Sequence, residues 1–512
     1  MHSKVHRLHA NAVGPRSGST NLTSAILRGA VTLAVLSALL IAARPAQSQT
    51  ESVLYNFTSI PDGAGPYGGL TFNGGNIYGT TYNGGANGFG TVYQLSPNGS
   101  GGWNETVLYS FCSAGGGCVD GQNPAFSTLV FDSKGNMYGT TFSGGAKGKG
   151  VVFQLTPSGN TWNETVAYSF GASPDAQNPV NGLIMDKSGN IFGTAYNGGG
   201  GGNGAVFELS PNQSGGWTEQ VVYPINSLFG GIVMNSAGAI FGTTATSVFE
   251  LQPNGTGGWF LSTPWAFNPS AAATQGSNPN GTVTLDAAGN IYGTTTAGGK
   301  NNLGVVYKLT PGTNGKYTER LLYSFGANGT APFAGVVLDS AGNIYGTTRT
   351  GGKNGAGIVY ELVLNSNGTY AEKSLQPFIG ENGAVPYAGL ILDNKGYLYG
   401  TTFMGGSSGY GTVFVANAHA ATTALTVTSS VNPAKSGQAV TFTATITSSV
   451  GPPPDGEIIV FEPVGQAPMT NGVATYTTSS LNVGKTKITA VYDGDLNFIK
   501  STSPSIFQLV GK

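Results

Sequence analysis

Charge is scarce in this 512-residue chain: Asp, Glu, Lys and Arg make up 9% of it, against about a quarter in ordinary soluble domains. Histidine occurs four times and cysteine twice. No stretch after residue 50 carries an Ala/Glu/Lys/Leu-rich pattern with a 3.6-residue period, which excludes long helical bundles and coiled coils. There is no Gly-X-Y period, so collagen is excluded as well. What is abundant is Gly, with 83 residues, and Pro, with 26, alongside 39% apolar and 10% aromatic residues. That is enough apolar surface for packed cores and too many helix breakers for helices. The composition reads as all-β and turn-rich.

The first fifty residues read as a targeting segment. Lys4, Arg7, Arg16 and Arg28 precede an apolar run of 14 residues from Ala30 to Ala43, and Ala46-Gln47-Ser48 follows with the small residues of a cleavage site. A run of that length is short of the roughly 20 residues that span a bilayer. Residues 1–48 are therefore expected to be a signal peptide, with an uncleaved anchor as the other reading. Its removal takes five of the 22 basic residues and none of the 23 acidic ones, leaving 17 against 23 and a net charge of −6. That balance argues against nucleic acid as a partner, because phosphate binding needs a clustered cationic surface. It also leaves His419 as the sole histidine. Cys112 and Cys118 flank Ser-Ala-Gly-Gly-Gly, a loop that a disulfide closes easily in an oxidising compartment, with two free thiols as the alternative. Without a second thiol pair or a nearby His they make a poor zinc site. The expected location is secreted or at the cell surface, with no span of the membrane after cleavage.

Internal repetition dominates the rest. Gly75-Asn-Ile-Tyr-Gly-Thr-Thr81 recurs with small changes from Gly135, Gly189, Gly238, Gly289, Gly342 and Gly396, a period of about 53 residues. That period suits a four-stranded propeller blade. In the sixth unit, Gly335–Asp339, Ile344–Thr348, Ile358–Leu362 and Tyr370–Phe378 read as strands of about five residues or more, joined by Gly/Asn turns that tolerate positive φ. The fourth-strand pattern, as in Val107-Leu-Tyr-Ser-Phe111, also occurs at Val53-Leu-Tyr-Asn-Phe57, ahead of the first complete unit. The seventh unit ends after its third strand, Thr412–Val415. The N-terminal strand is therefore expected to complete the last blade and close a seven-bladed ring over residues 51–417, leaving no sheet edge open. Asp132, Asp186, Asp286, Asp339 and Asp393 are expected to cap turns. Glu105, Glu164, Glu219, Glu319 and Glu372 are expected to be solvent-facing charges on the outermost strands.

The unit Leu-x-x-Asp-x-x-Gly-Asn-Ile-Tyr-Gly-Thr-Thr-x-x-Gly-Gly…Gly-x-Val-Tyr-x-Leu resembles the tandem repeats of the choice-of-anchor, GloVer-containing bacterial secreted proteins. The resemblance implies an exported or surface-associated bacterial protein. After an Ala/Thr-rich linker at 418–424, residues 425–512 change pattern. Asn432-Pro433, Gly437-Gln-Ala-Val-Thr-Phe442, Gly456-Glu-Ile-Ile-Val-Phe461 and Ile488-Thr-Ala-Val-Tyr-Asp-Gly-Asp495 resemble a bacterial Ig-like repeat, which implies a β-sandwich acting as a spacer or adhesive unit.

In such a ring the loops from fourth to first strands and from second to third strands share one face. Tyr67, Phe126, Phe229, Phe333 and Tyr387 sit three residues ahead of each first strand's leading aliphatic, with Val180 and Asn280 in the other two blades. Asp62, Asp120 and Asp175 lie in the preceding loops. Two readings of the aromatics stand: a ligand-contacting rim at the channel mouth, or rings that only seal the blades together. The expected function is a non-enzymatic binding or adhesion protein, for an extracellular glycan or surface protein. The alternative is an extracellular polysaccharide-active or lactonase-like hydrolase, with those aspartates as a carboxylate pair or as oxygen ligands for calcium. No cofactor other than that calcium is expected. Gly405-Gly-Ser407-Ser-Gly409 matches a nucleophile elbow in letters only, since it lacks the strand-turn-helix and the histidine base.

Overall fold

The computed structural model describes residues 52–99, 102–268, 270 and 274–512. The expected signal peptide lies outside them. Among the described residues there is no α-helix, and no helix long and apolar enough to cross a membrane.

The repeat becomes a blade because its central strands have two faces to bury. In Asn76–Thr81 every side chain from Ile77 to Thr81 is buried, and in Thr91–Pro97 the side chains of Thr91 to Tyr93 and Leu95 are. A strand covered on both faces reads as a continuous apolar or small-residue run rather than an alternation. Seven four-stranded antiparallel sheets result, forming a seven-bladed propeller. The last of them comprises Ile391–Leu392, Tyr397–Thr402, Thr412–Asn417 and, from the other end of the chain, Ser52–Asn56. Ser52 pairs with Val415 and Asn56 with Thr412.

The cores lie between blades. Each of seven buried clusters joins residues of two neighbours: Tyr78, Val92 and Phe111 of blade 1, for example, pack with Leu129, Met137 and Phe153 of blade 2. The seam of the ring is built alike, from Phe57 and Val413 against Leu70, Ile77 and Tyr93. At six of the seven junctions the phenylalanine ending a fourth strand meets the next blade's third-strand aromatic edge-on, and at the other Ile225 packs with Phe249. The six edge-on pairs, from Phe57–Tyr93 to Phe378–Phe414, have centroids 5.0 to 5.1 Å apart.

The first strands are shorter than the sequence suggests. In six blades only two or three residues pair, as in Val337–Leu338 and Thr71–Asn73. The blades converge at the axis, where backbone meets backbone: a Cβ on Gly68 would strike the Ser127 carbonyl and one on Gly335 the Thr282 carbonyl. The first threonine of the Gly-Thr-Thr motif bridges this junction. Thr80 Oγ1 donates to Ser127 O at 3.2 Å, Thr140 to Asn181 O at 3.3 Å, Thr243 to Gly281 O at 3.2 Å and Thr294 to Ala334 O at 2.7 Å. Thr401 closes the circle on Gly68 O at 3.4 Å.

Residues 418–424 are ordered on both sides. Ala418 is buried with Phe378, Leu398 and Phe414 of the last two blades, Ala421 bridges to Phe498, and Thr423 already pairs with Ser448. Beyond them a curled β-sheet encloses its own core, which includes Phe442, Phe461, Met469 and Tyr492.

Candidate functional site

The fourth-to-first loops lock onto the second-to-third loops of the preceding blade. Asn123 Nδ2 donates to Tyr82 O at 2.9 Å and Asn178 Nδ2 to Phe142 O at 2.9 Å. Asn123 and Asn178 hold positive φ just before Pro124 and Pro179, a left-handed conformation that Asn tolerates. The interlock carries the next residues inward to the axis.

Four of the five expected aromatics meet there. Tyr67 lies 4.6 Å from Phe126 and 4.8 Å from Tyr387, and Phe333 lies 5.3 Å from Tyr387 and 6.0 Å from Phe126. They form a plug across the channel rather than an open ring. Phe126 reaches it with φ +54°, because blade 2 has one residue more than blade 1 between its proline and its leading aliphatic (Pro124 to Leu129, against Pro66 to Leu70). Burial, and next the neighbouring Tyr387, push the Tyr67 hydroxyl up to about 12, with Arg349 pulling the other way. Phe229 stands apart from the plug, 6.0 Å from Tyr196.

The carboxylates do not join the aromatics. Asp62, 6% exposed, accepts from Tyr55 Oη at 3.0 Å and from the Thr58 amide at 2.8 Å. Asp120 accepts from Tyr109 Oη at 2.7 Å and the Ser113 amide at 2.8 Å. Asp175 is held by Tyr168 Oη and the Gly171 amide, and burial raises its pKa against those bonds. Each aspartate thus folds its loop back onto the outer-strand tyrosine of the Tyr-Ser-Phe type pattern. None lines the cavities that border the plug. Cys112 and Cys118 form a disulfide across the loop that carries Asp120.

A second set of aromatics, not anticipated from the sequence, completes the site. Tyr82, Phe142, Tyr196 and Phe403 directly follow the Gly-Thr-Thr strand of four blades, and Arg349 holds that place in blade 6. With Tyr67, Phe126, Phe229 and Phe333 these aromatics line a cavity of about 380 Å³. The signal was present as one fixed position after a repeated motif. Its direction, toward the axis, was not.

Blade 4 breaks the pattern of the loops beside the cavity. In six blades the motif glycine faces an aromatic 14 residues later, as Gly79 faces Tyr93 and Gly293 faces Tyr307. In blade 4 Gly242 faces Phe249, seven residues on. The glycine-rich excursion is missing there, so the wall is low, and Tyr196 and Phe229 beside the gap are 43% and 41% exposed. Amides stand near: Asn83 lines the cavity and Asn197 Nδ2 donates to Asn178 Oδ1 at 3.1 Å. Arg349 lies over the Tyr387 ring, 5.1 Å from its centroid. A second cavity of about 280 Å³ lies deeper, between the plug and the inner strands. Among the described residues no three of His, Cys, Asp and Glu gather in a way that could hold a metal ion.

The profile of the Gloeobacter/Verrucomicrobia repeat matches residues 105–256 and 230–451, which together span more than half of the chain. The chain belongs to this repeat family. The Gloeobacter/Verrucomicrobia repeat portion is followed by a match to the bacterial Ig-like domain (group 3) over residues 426–511. No curated protein matches the chain in sequence. Among solved structures it is similar to the extracellular domain of a hybrid two-component system from B. thetaiotaomicron, at 13% identity and TM-score 0.45, over 91% of this chain and 58% of that one. It is also similar to virginiamycin B lyase from Staphylococcus aureus, at 16% identity and TM-score 0.44, over 70% of this chain and 97% of that one. A gluconolactonase from Xanthomonas campestris aligns at 13% identity and TM-score 0.34, over 70% of this chain and 87% of that one.

Proposed function

We propose that this Gloeobacter/Verrucomicrobia repeat protein is an exported binding protein that holds a saccharide on the aromatic face of its propeller, with the Ig-like domain as spacer. The observation that carries the reading is the 380 Å³ cavity walled by eight Tyr and Phe rings, with amides close by. Sugar rings offer a C–H face that packs on aromatic rings and hydroxyls that pair with amides. The apolar leader in the sequence and the Cys112–Cys118 disulfide support export. Binding is favoured over hydrolysis because Asp62, Asp120 and Asp175 are occupied with their own loops and outer-strand tyrosines.

A glycan array probed with the full chain tests this. Glycans that bind wild type should bind the Tyr196→Ala/Phe229→Ala double variant about tenfold or more weakly, since buried aromatic contacts of this kind dominate binding energy. Unchanged affinity in the double variant would refute the reading. The two side chains stand at the gap and outside the blade cores, so melting temperature should stay within a few degrees of wild type.

A further inference from the structure

The charges exposed on the face that carries the aromatic cavity are nearly all positive. On the loops that surround the aromatic cavity, the exposed charged residues among those described are Lys147 and Lys149 of blade 2, Lys300 of blade 5, Arg349 and Lys353 of blade 6, and one acid, Glu381. The other acids on this side, Asp62, Asp120 and Asp175, are turned into the loop interlocks and bonded to tyrosines. The turn aspartates, Asp132 to Asp393, belong to the opposite face, where exposed Lys134, Lys187 and Lys395 stand in the same turns. So a chain that is net acidic beyond residue 50 presents a cationic fringe around this aromatic cavity.

The positions matter as much as the sign. Blade 2 lies nearly across a seven-bladed ring from blades 5 and 6, so the cations stand on two sides of the plug. A small anion meets one cluster or the other. An extended polyanion laid across the face meets both, with the aromatic centre beneath it. Arg349 ties the fringe to the site itself, through its contact with the Tyr387 ring, and Tyr387 in turn packs on Tyr67, which lines the cavity.

Resting on the saccharide reading above, we propose that the ligand is an acidic polysaccharide, a chain of uronic-acid residues whose carboxylates engage Arg349 and the flanking lysines while one sugar stacks in the aromatic cavity. An Arg guanidinium pairs with a carboxylate through two parallel hydrogen bonds. Surface lysines add attraction that salt screens.

The test is affinity electrophoresis of the full chain in gels containing polygalacturonate, alginate, methyl-esterified polygalacturonate or single-stranded DNA. Retention by at least one of the two acidic polymers, at least about tenfold stronger than by the esterified one and falling with salt, is expected. Arg349→Gln should weaken binding to the acidic polymer about tenfold, a clearly larger factor than its effect on the esterified one. Equal retention by acidic and esterified polymer overturns the charge preference while leaving the saccharide reading in place. Equal retention by DNA, or none by either acidic polymer, also overturns it. If Tyr196→Ala/Phe229→Ala leaves every retention unchanged, the saccharide reading itself falls.

Discussion

At the residue scale, each letter of the repeat motif has a physical task. The glycine of Ile-Tyr-Gly-Thr-Thr lies under the third-strand aromatic: a Cβ on Gly193 would strike the Phe207 ring, and one on Gly293 the Tyr307 ring. The first threonine ties neighbouring blades at the axis. The turn aspartates behave as the sequence suggests, with Asp132 Oδ1 accepting from the Lys134 and Asn136 amides at 2.8 and 2.9 Å. The aromatic over the glycine is Phe in four blades and Tyr in three, and the hydroxyls of Tyr93, Tyr307 and Tyr360 are fully buried without a protein partner. An unpaired buried hydroxyl costs about 1 kcal/mol or more. Tyr307→Phe is therefore expected to stabilise the protein by about 1 kcal/mol in chemical denaturation, and a loss of stability would show that the hydroxyl is satisfied.

At the element scale, the outer strands differ from expectation. Glu105, Glu164, Glu219 and Glu319 do not stand free on a solvent edge: one oxygen of each is buried and unpaired. Burial pushes all four up to about 7, helped by Asp62 beside Glu105, Asp120 beside Glu164 and Asp175 beside Glu219. The alternation of the fourth strand was legible in the sequence. That its inward groove faces the loop aspartate of the junction was not, because strand and loop meet only when blades pack. A carboxyl whose folded pKa exceeds its unfolded value near 4.5 stabilises the fold below about 4.5 and loses that contribution as pH rises to about 7. The turn aspartates oppose this at the acid end. Against the upward push of burial, bonds from Asn136, Asn290 and Asn343 hold Asp132, Asp286 and Asp339 below the usual range, and their contribution is lost as pH falls below about 4. Melting temperature should thus peak near pH 5 and decline toward pH 7.5. Replacing the four glutamates by Gln should flatten that decline and add about 1 kcal/mol per site at pH 7.5, after allowance for the solvent that still reaches these half-buried groups. A wild-type melting profile that rises from pH 5 to pH 7.5 contradicts this assignment.

At the scale of the whole molecule, the ring is held by a strand from the far end of the chain. Removing residues 52–57 takes away the Ser52–Asn56 pairing with Thr412–Asn417 and the Phe57–Tyr93 contact, and leaves blade 7 with an open edge. The expected result is loss of cooperative unfolding and aggregation on refolding, because the lost burial is a large fraction of a marginal net stability. A truncated chain that melts as one transition near the wild-type temperature would contradict the closure. Much of this architecture was determined by the sequence alone. Seven copies of one strand pattern, an orphan fourth strand at the start and a missing one at the end leave a closed seven-bladed ring as their consistent solution, because periodicity and edge pairing are local properties. The site was not local. Asp62, Asp120 and Asp175 sit a few residues from the aromatics in the chain, yet tertiary packing turns them outward to Tyr55, Tyr109 and Tyr168. It draws Tyr82, Phe142, Tyr196 and Phe403 inward from another loop, and it leaves the wall low where blade 4 lacks seven residues. Which way a side chain points from a loop is decided by the blade it meets across the junction, and sequence spacing contains no term for that.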